Sequence, residues 1–483
     1  MTSLRIISLI LSVMLCACAL ISCDSGSDNE GYDAQQNKTA QTTSDTFTDT
    51  SDGDDVDIAM INGIPLEDFT VIYNAQDVDY SKRAAEYICK QIEERTSVCL
   101  DLKEDDTGIY AHEIIVGETS RALSRSLDAD TQGVQFAICA NDDHVAMEGD
   151  YFVIAAAAYF FVDTYITGQI FDSAVPKEVK IHEPIVEEAK NFVLLIGDGM
   201  GVNQTLLFDK VSMSLTSGKN YNDGEDIFYG YLLPYQGRSR TNSLSGVTDS
   251  AAGGTALSTG YKTINKYVGK DKNGKDLLSL TELAGSMGKA TAVMSTEAAT
   301  GATPASFSAH AMSRYDTDNI NRTQVKLRSE YGTLIDCNYD VYDKKGVADI
   351  QDKVKSNLNV LSRNEKGFVL MYEEAHIDKH CHSNNQIKTF DALMRFNQVI
   401  GTVMEFAFYN PDTFVLITAD HETGGLIPNS SGGFSFTSTD HTGVDVPIFA
   451  YGDGAEYFNE KTVENIQIPK QIAKLWGKVD FGQ

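Results

Sequence analysis

A chain of 483 residues, 42% of them hydrophobic, is long enough for two or three domains with sizeable cores. Its 69 acidic against 39 basic side chains leave a formal net charge of −30, which argues against non-specific nucleic-acid binding and for a soluble, self-repelling surface. A chain this acidic must find the positive charge for any anion it handles locally, from metal ions or from single arginines.

Arg5 and the apolar run Ile6–Ile21 read as an export signal, too short for a membrane span, and Leu20-Ile21-Ser22-Cys23 has the form of a lipobox cleaved ahead of a lipidated cysteine. Cys18 is the alternative site. Asp24–Asp57 has almost no large apolar residues and is dense in Asp, Ser, Thr, Asn and Gln, so it cannot offset its own ordering entropy and reads as a disordered tether. With a lipid on Cys23, the folded part would sit outside a bacterial cell membrane on that tether. Cys89, Cys99, Cys139, Cys337 and Cys381 are widely spaced and odd in number, which does not indicate a disulfide framework, although a Cys89–Cys99 bridge stays open.

From residue 58 to 186 strand and helix signals alternate: Phe69–Tyr73, an amphipathic helix over Ser81–Arg95, Glu113–Gly117, a hairpin of Val134–Cys139 and His144–Glu148, and a buried helix over Tyr151–Thr167. This predicts a small α/β domain. It loosely resembles the non-catalytic N-terminal domains of some secreted glycoside hydrolases and carries no catalytic motif. A spacer or packing role is preferred to carbohydrate binding.

From residue 187 to 483, apolar runs end in polar clusters. Phe192–Ile196 runs into Gly197-Asp198-Gly199, Phe368–Tyr372 into Glu373 and then Asp378 and His382, and Thr413–Thr418 into Asp420-His421; His441 precedes the strand Val446–Tyr451. Helical segments at Asp276–Ser286 and Asn385–Phe408 lie between, so the expected fold is a three-layer αβα sandwich whose largely parallel sheet gathers ligands at its carboxyl edge. Val247–Gly260 reads as a short helix capped by Asp249 or Ser250 and closed by Gly260, with its unpaired N–H groups at Ser250. Asp378 and His382, at i and i+4, share a helical face. His441 could complete a three-ligand site with them, and Asp198, Asp420, His421 and Ser250 could form a second.

The ordered motifs IGDGMG, VTDSAAGGTALSTG, ATPASFSAH followed by Arg314, EEAHIDKHCH, TADHETGG and DHTG resemble those of the alkaline phosphatase family from about Asn191 to the C-terminus. The resemblance implies hydrolysis of phosphate monoesters through a phosphoserine at Ser250, two Zn2+ ions on the two ligand sets, Arg314 as the phosphate fork and Lys379 near phosphate through water. It makes a homodimer an expectation as well. A third, Mg2+-type site shared by Asp198, Thr303 and Glu373 is expected to depart from the family pattern, because Gly301 stands where an Asp or His is usual, leaving water, Glu297 or Glu374 to fill the gap. His310, His376 and His380 match no ligand position, and Cys381 reads as packing. A sulfatase is disfavoured because no C-x-P-x-R segment is present, and a phosphodiesterase because of Arg314. A surface carbohydrate-binding protein with an inactive phosphatase domain is the reading from another class. Only nineteen residues separate His421 from His441, so no extra surface domain is inserted there and the site is expected to be open.

Overall fold

Two sheets carry the described residues of the computed structural model, which are 58–483 apart from 77–78, 128–132, 183, 217–226 and 342–343. The expected signal, Cys23 and the tether lie outside them. In the first sheet, β1 (Phe69–Tyr73), β2 (Asp101–Glu104), β3 (His112–Val116), β4 (Phe136–Ala140), β5 (His144–Gly149) and β6 (Val179–Ile181) pair in the order β2-β1-β3-β5-β4-β6. All neighbours run parallel except β4, antiparallel to β5 and β6. The β4–β5 hairpin forms where expected, with Asn141 Oδ1 accepting from the amides of Asp143 and His144. Helix α1 (Tyr80–Thr96) ends on Ser97 in the left-handed region, and with α2 (Ile154–Tyr165) it covers one face. Its buried residues Ala84, Ala85, Ile88 and Ile92 recur at helical spacing. The Cys89–Cys99 bridge does not form, since both thiols are free. A further small sheet of Ala59–Ile61, Ile64–Pro65 and Phe171–Ser173 was not foreseen, because such short pieces show no period.

The second sheet follows. Its strands are β7 (Asn191–Gly197), β8 (Tyr235–Arg240), β9 (Ala290–Ser295), β10 (Leu334–Cys337), β11 (Phe368–Glu374), β12 (Thr413–Thr418), β13 (Val446–Tyr451) and β14 (Thr462–Glu464), in the order β10-β9-β11-β7-β12-β13-β8-β14. The first five in that order are parallel, and β13 is antiparallel to both β12 and β8. Side chains alternate across it as the pleat demands. Val193, Leu195, Leu370, Tyr372, Val415 and Ile417 join one core, while Phe192, Leu194, Val369, Met371, Phe414 and Leu416 join another on the opposite face. Helix α3 (Ser250–Thr259), α4 (Leu280–Ser286) and α5 (Ala302–Ser308) lie on the second face; α6 (His376–His382) leads into α7 (Gln386–Tyr409), which packs on the first. This is the expected αβα sandwich. Helix α4 starts later than expected, at a capping box in which Ser279 and Glu282 satisfy each other's amides.

Residues 56–483 form one compact unit. The boundary expected at 186/187 divides two sheets that share a core, since residues of α1, α2 and α7 belong to one hydrophobic cluster. Tyr87 stacks on Tyr409 with centroids 4.2 Å apart, Phe152 meets Phe408 at 5.7 Å, and Arg83 Nε reaches both Glu405 oxygens at 2.8 and 3.0 Å. Phe152 is fully buried between the layers. Phe152→Ala is expected to cost about 3–5 kcal/mol, and calorimetry should record one unfolding transition in both proteins. Two separate transitions in the wild type would mean that the sheets fold independently.

Candidate active site

Three parallel strands deliver acidic residues to one edge. Asp198 follows β7, Glu373 is the last residue but one of β11, and Asp420 with His421 follows β12. Asp198 can turn in because Gly199 has φ 72°, and a Cβ there would lie 2.9 Å from the Asp378 backbone. The remaining ligand arrives from the other direction. Because β13 is antiparallel to β12, its beginning lies at the same edge as their ends, and the chain returns there through a short ladder pairing Thr423 with His441. On α3, Asp249 is the N-cap, accepting from Ala252 N at 3.0 Å, and Ser250 is the first helical residue. Gly253 lets this helix approach β12's end, since a Cβ would stand 2.9 Å from Asp420 O.

The eleven residues singled out in the sequence as catalytic or metal-binding divide into two tight clusters and a looser surround. In the first cluster, His382 Nε2 lies 3.3 Å from Asp378 Oδ1 and 3.2 Å from His441 Nε2, and His441 Nε2 lies 3.6 Å from Asp378 Oδ1. In the second, His421 Nε2 faces three oxygens: Ser250 Oγ at 3.1 Å, Asp420 Oδ2 at 3.2 Å and Asp198 Oδ1 at 3.4 Å. The clusters abut, with the rings of His421 and His441 stacked at 3.6 Å. The first opens to solvent at His382, whereas Asp420 and His421 are fully buried.

Each imidazole is oriented by its outer nitrogen. His382 Nδ1 donates to Thr439 O at 2.5 Å and His441 Nδ1 to Thr248 O at 2.9 Å. Thr423 Oγ1 donates to Asp378 Oδ1 at 2.5 Å, so it is left to accept from His421 Nδ1 at 3.2 Å. In the neutral imidazoles all three Nε2 lone pairs then point inward, two of them only 3.2 Å apart, and the Asp378 carboxylate beside His382 Nε2 draws a proton onto it instead, raising the His382 pKa to about 9. Asp198 Oδ1 and Asp420 Oδ2 are buried without a hydrogen-bond donor. Facing lone pairs and orphaned carboxylate oxygens are mutually repulsive unless a cation lies among them, so the residues fit divalent metal ions.

The electrostatics agree. Burial, and then the charges of Asp420, Asp378, Glu373 and Glu297, push the Asp198 carboxyl well above its usual range. Burial and Asp378 push Asp420 up to about 7, and burial with the neighbouring His441 pushes His421 well down. Burial opposes the charge on Asp378 too, but the His382 hydrogen bond, the His421 charge and the Thr423 hydroxyl outweigh it and hold that carboxyl below its usual range.

Around the clusters, Arg314 lies at the Ser250 end of α3, with Nη1 3.5 Å from Asp249 Oδ2 and its amide donating to Lys266 O. The sequence identified Arg314 but not Asp249 as its partner. Lys379 Nζ meets Glu297 Oε2 at 3.1 Å. Glu373 takes a short hydrogen bond from Ser295 Oγ on one oxygen, while its other oxygen and the Thr303 hydroxyl are buried without a well-formed hydrogen bond. Glu374, one of the residues considered for the gap at Gly301, is committed elsewhere: Arg395 donates to both its oxygens, and His376 N donates to it at 3.1 Å. His380 and Cys381 are buried, and Cys381 faces Thr389 and Gln204. Burial pushes the Cys381 thiol up to about 12.

His310 ties α4 to the loop at Gly269, with Nε2 3.0 Å from Glu282 Oε1 and Nδ1 2.8 Å from Gly269 O. Burial opposes charge on both partners, but their mutual bond prevails, raising the His310 pKa and lowering that of Glu282. The histidine contribution is complete below its unfolded value, about 6.5, and fades as pH rises through the folded one; the glutamate contribution is complete above about 4.5 and fades in acid. The stability deficit of His310→Gln should therefore be largest between those values and shrink toward pH 9. A deficit that is flat or grows with pH, measured by thermal melts, would overturn this.

With this geometry in hand, comparison with known proteins gives a consistent answer. A family model described as alkaline phosphatase matches residues 189–341 and 335–435, together just over half of the chain. The chain belongs to the alkaline phosphatase family. It is a hydrolase of that superfamily, acting on phosphate esters. Alkaline phosphatase 4 of Bacillus subtilis (strain 168) is 25% identical over 397 residues, covering 56% of this chain and 85% of that protein. Alkaline phosphatase of Escherichia coli (strain K12) is 26% identical over 398 residues, covering 55% and 82%. The solved alkaline phosphatase of the Antarctic bacterium TAB5 superposes with a TM-score of 0.52 at 26% identity over 60% of this chain and 99% of that one. A variant of that enzyme described with Mg bound in its M3 site gives 0.51 at 25%, over 62% and 100%. The family model begins at residue 189, after the first sheet.

Proposed function

We propose that the chain hydrolyses phosphate monoesters by attack of Ser250 Oγ on phosphorus, with two zinc ions as cofactors. Asp378, His382 and His441 would hold one ion; Asp198, Asp420, His421 and Ser250 Oγ the other. The observation that carries this reading is His421 Nε2, a lone pair set within 3.4 Å of a serine hydroxyl and two carboxylate oxygens. Mixed imidazole and carboxylate donors in sets of three or four suit Zn2+. Bound there, such ions would act as Lewis acids, making the hydroxyl and a water more nucleophilic and neutralising charge that develops on oxygen.

The chain's own residues do the rest. Ser250 sits at the amino end of α3, where unpaired N–H groups and the helix dipole favour the oxyanion and the phosphoryl group it accepts. Oγ forms a bond to phosphorus as the bond to the alcohol oxygen breaks, and the alcohol departs with a proton. Water then attacks the phosphoserine from the vacated side, returning Ser250 and releasing inorganic phosphate. Arg314, steadied by Asp249, offers two N–H donors to non-bridging oxygens, which favours monoesters because they leave two such oxygens free. Lys379 would join phosphate through water. Zinc-loaded protein incubated with inorganic phosphate and quenched in acid should yield a phosphorylated Ser250 peptide by mass spectrometry; active protein that never does so has another nucleophile.

The first sheet serves as a packing partner of α7 rather than a glycan-binding module, a reading supported by the shared core. A lipid on Cys23 would tether the enzyme outside the cell membrane. Among the described residues no helix is long and apolar enough to cross a membrane.

A further inference from the structure

We propose that Glu297 takes over the work of the missing side chain at position 301, completing with Asp198, Thr303 and Glu373 a third site for a small, oxygen-preferring cation and holding Lys379 at its rim. The inference rests on the two-zinc reading above, because Asp198 serves both sites.

The first argument is spatial. Gly301 caps α5 with φ −55°, a conformation open to any residue, so the backbone does not require glycine there. What excludes a side chain is Glu297: a Cβ on residue 301 would lie 1.9 Å from Glu297 Oε1 and 2.3 Å from its carboxyl carbon. The carboxylate fills the volume that a residue at 301 would otherwise occupy. The backbone beneath it is held in place, since Glu297 N donates to Ser295 Oγ at 3.0 Å and Asn338 N donates to the Glu297 carbonyl at 2.7 Å, while the carboxylate itself meets Lys379 Nζ at 3.1 Å.

The second argument concerns unmet polar groups. Thr303 Oγ1 and Glu373 Oε1 are fully buried, and neither has a well-formed hydrogen bond. Asp198 Oδ1 is buried and orphaned as well. Glu297 and Glu373 share one hydroxyl, since Ser295 Oγ accepts from Glu297 N and donates to Glu373 Oε2. These oxygens do not draw as close as those of the two histidine clusters. Looser spacing suits Mg2+, which keeps several of its waters and meets some partners through them. Glu297 Oε2 is already on Lys379, while Oε1 occupies the place of a side chain at 301, so one carboxylate would offer Oε1 to the cation and steady the ammonium with the other oxygen.

The test reads metal, not turnover. Zinc-loaded wild type, Glu297→Ala, Glu297→Gln and the double variant Glu297→Ala/Gly301→Asp are titrated with Mg2+ by calorimetry, with bound metal counted by mass spectrometry. The wild type should take up Mg2+ in addition to zinc. The two single variants should keep their zinc but bind Mg2+ about 10- to 100-fold more weakly, and the double variant should regain most of the loss. Mg2+ binding unchanged in both single variants, or absent from zinc-loaded wild type, overturns the assignment of Glu297 and leaves the zinc sites standing. A wild type that takes no zinc overturns the two-ion reading and this inference with it.

Discussion

Ser250→Ala should abolish hydrolysis of p-nitrophenyl phosphate, with kcat falling by at least about 10⁴-fold, the scale on which loss of a covalent nucleophile is felt. The helix that presents Ser250 should survive, because its cap is Asp249, whose carboxylate accepts from Ala252 N, and the serine side chain contributes no cap bond. A small cut in activity would mean that water attacks the ester directly and that Ser250 only lines the site. The variant should still bind zinc, as the carboxylates and imidazoles of both clusters are untouched. Residual turnover together with retained metal would separate the part played by the nucleophile from that of the cations.

Asp420→Asn addresses the proposed cations themselves. In zinc-bearing buffer the wild type should gain stability on binding, about 4 kcal/mol at a thousand-fold excess over Kd, and a chelator should remove that gain along with activity. The variant should lose the second ion, most of its activity and much of the gain. Without metal the order should reverse, Asp420→Asn melting at or above the wild type, because Asp420 is fully buried beside Asp198 and Asp378 and adds to their repulsion. Melts with and without zinc decide it. A variant less stable than wild type in the chelator would show that Asp420 holds the fold through its bonds to the Gly199 and His421 amides rather than waiting for a cation.

The central strands and most of the candidate ligands clustered at their ends were legible because burial on both faces writes a parallel strand as an unbroken apolar run, and the polar residue ending the run then marks the sheet edge. Asp198, Glu373, Asp420 and His421 were found this way. His441 was legible only through its motif, for its arrival depends on β13 being antiparallel, a pairing that no local pattern reveals. Glu297 was one candidate among several for the space at Gly301, and spacing alone could not show its carboxylate folding back over the Cα four residues on. Thr423, which orients His421 and steadies Asp378, was missed because a threonine in a turn gives no signal until its neighbours are placed. The polar edge strand β2 and the short strands near residue 60 were hidden for the simpler reason that they bury too little to show a period.

The shared core gives the first sheet a bearing on the chemistry. Helix α7 is 24 residues long, about 36 Å at 1.5 Å per residue. Its far end is clamped by Arg83, Tyr87 and Phe152, and its near end is separated by three residues from α6, which carries Asp378 and His382. A lever of that length tilted by a single degree at the clamp moves its other end by ~0.6 Å, already at the tolerance of a working ligand set. The N-terminal sheet is thus a foundation for the proposed metal ligands, and damage to it should register as zinc occupancy at the opposite end of α7.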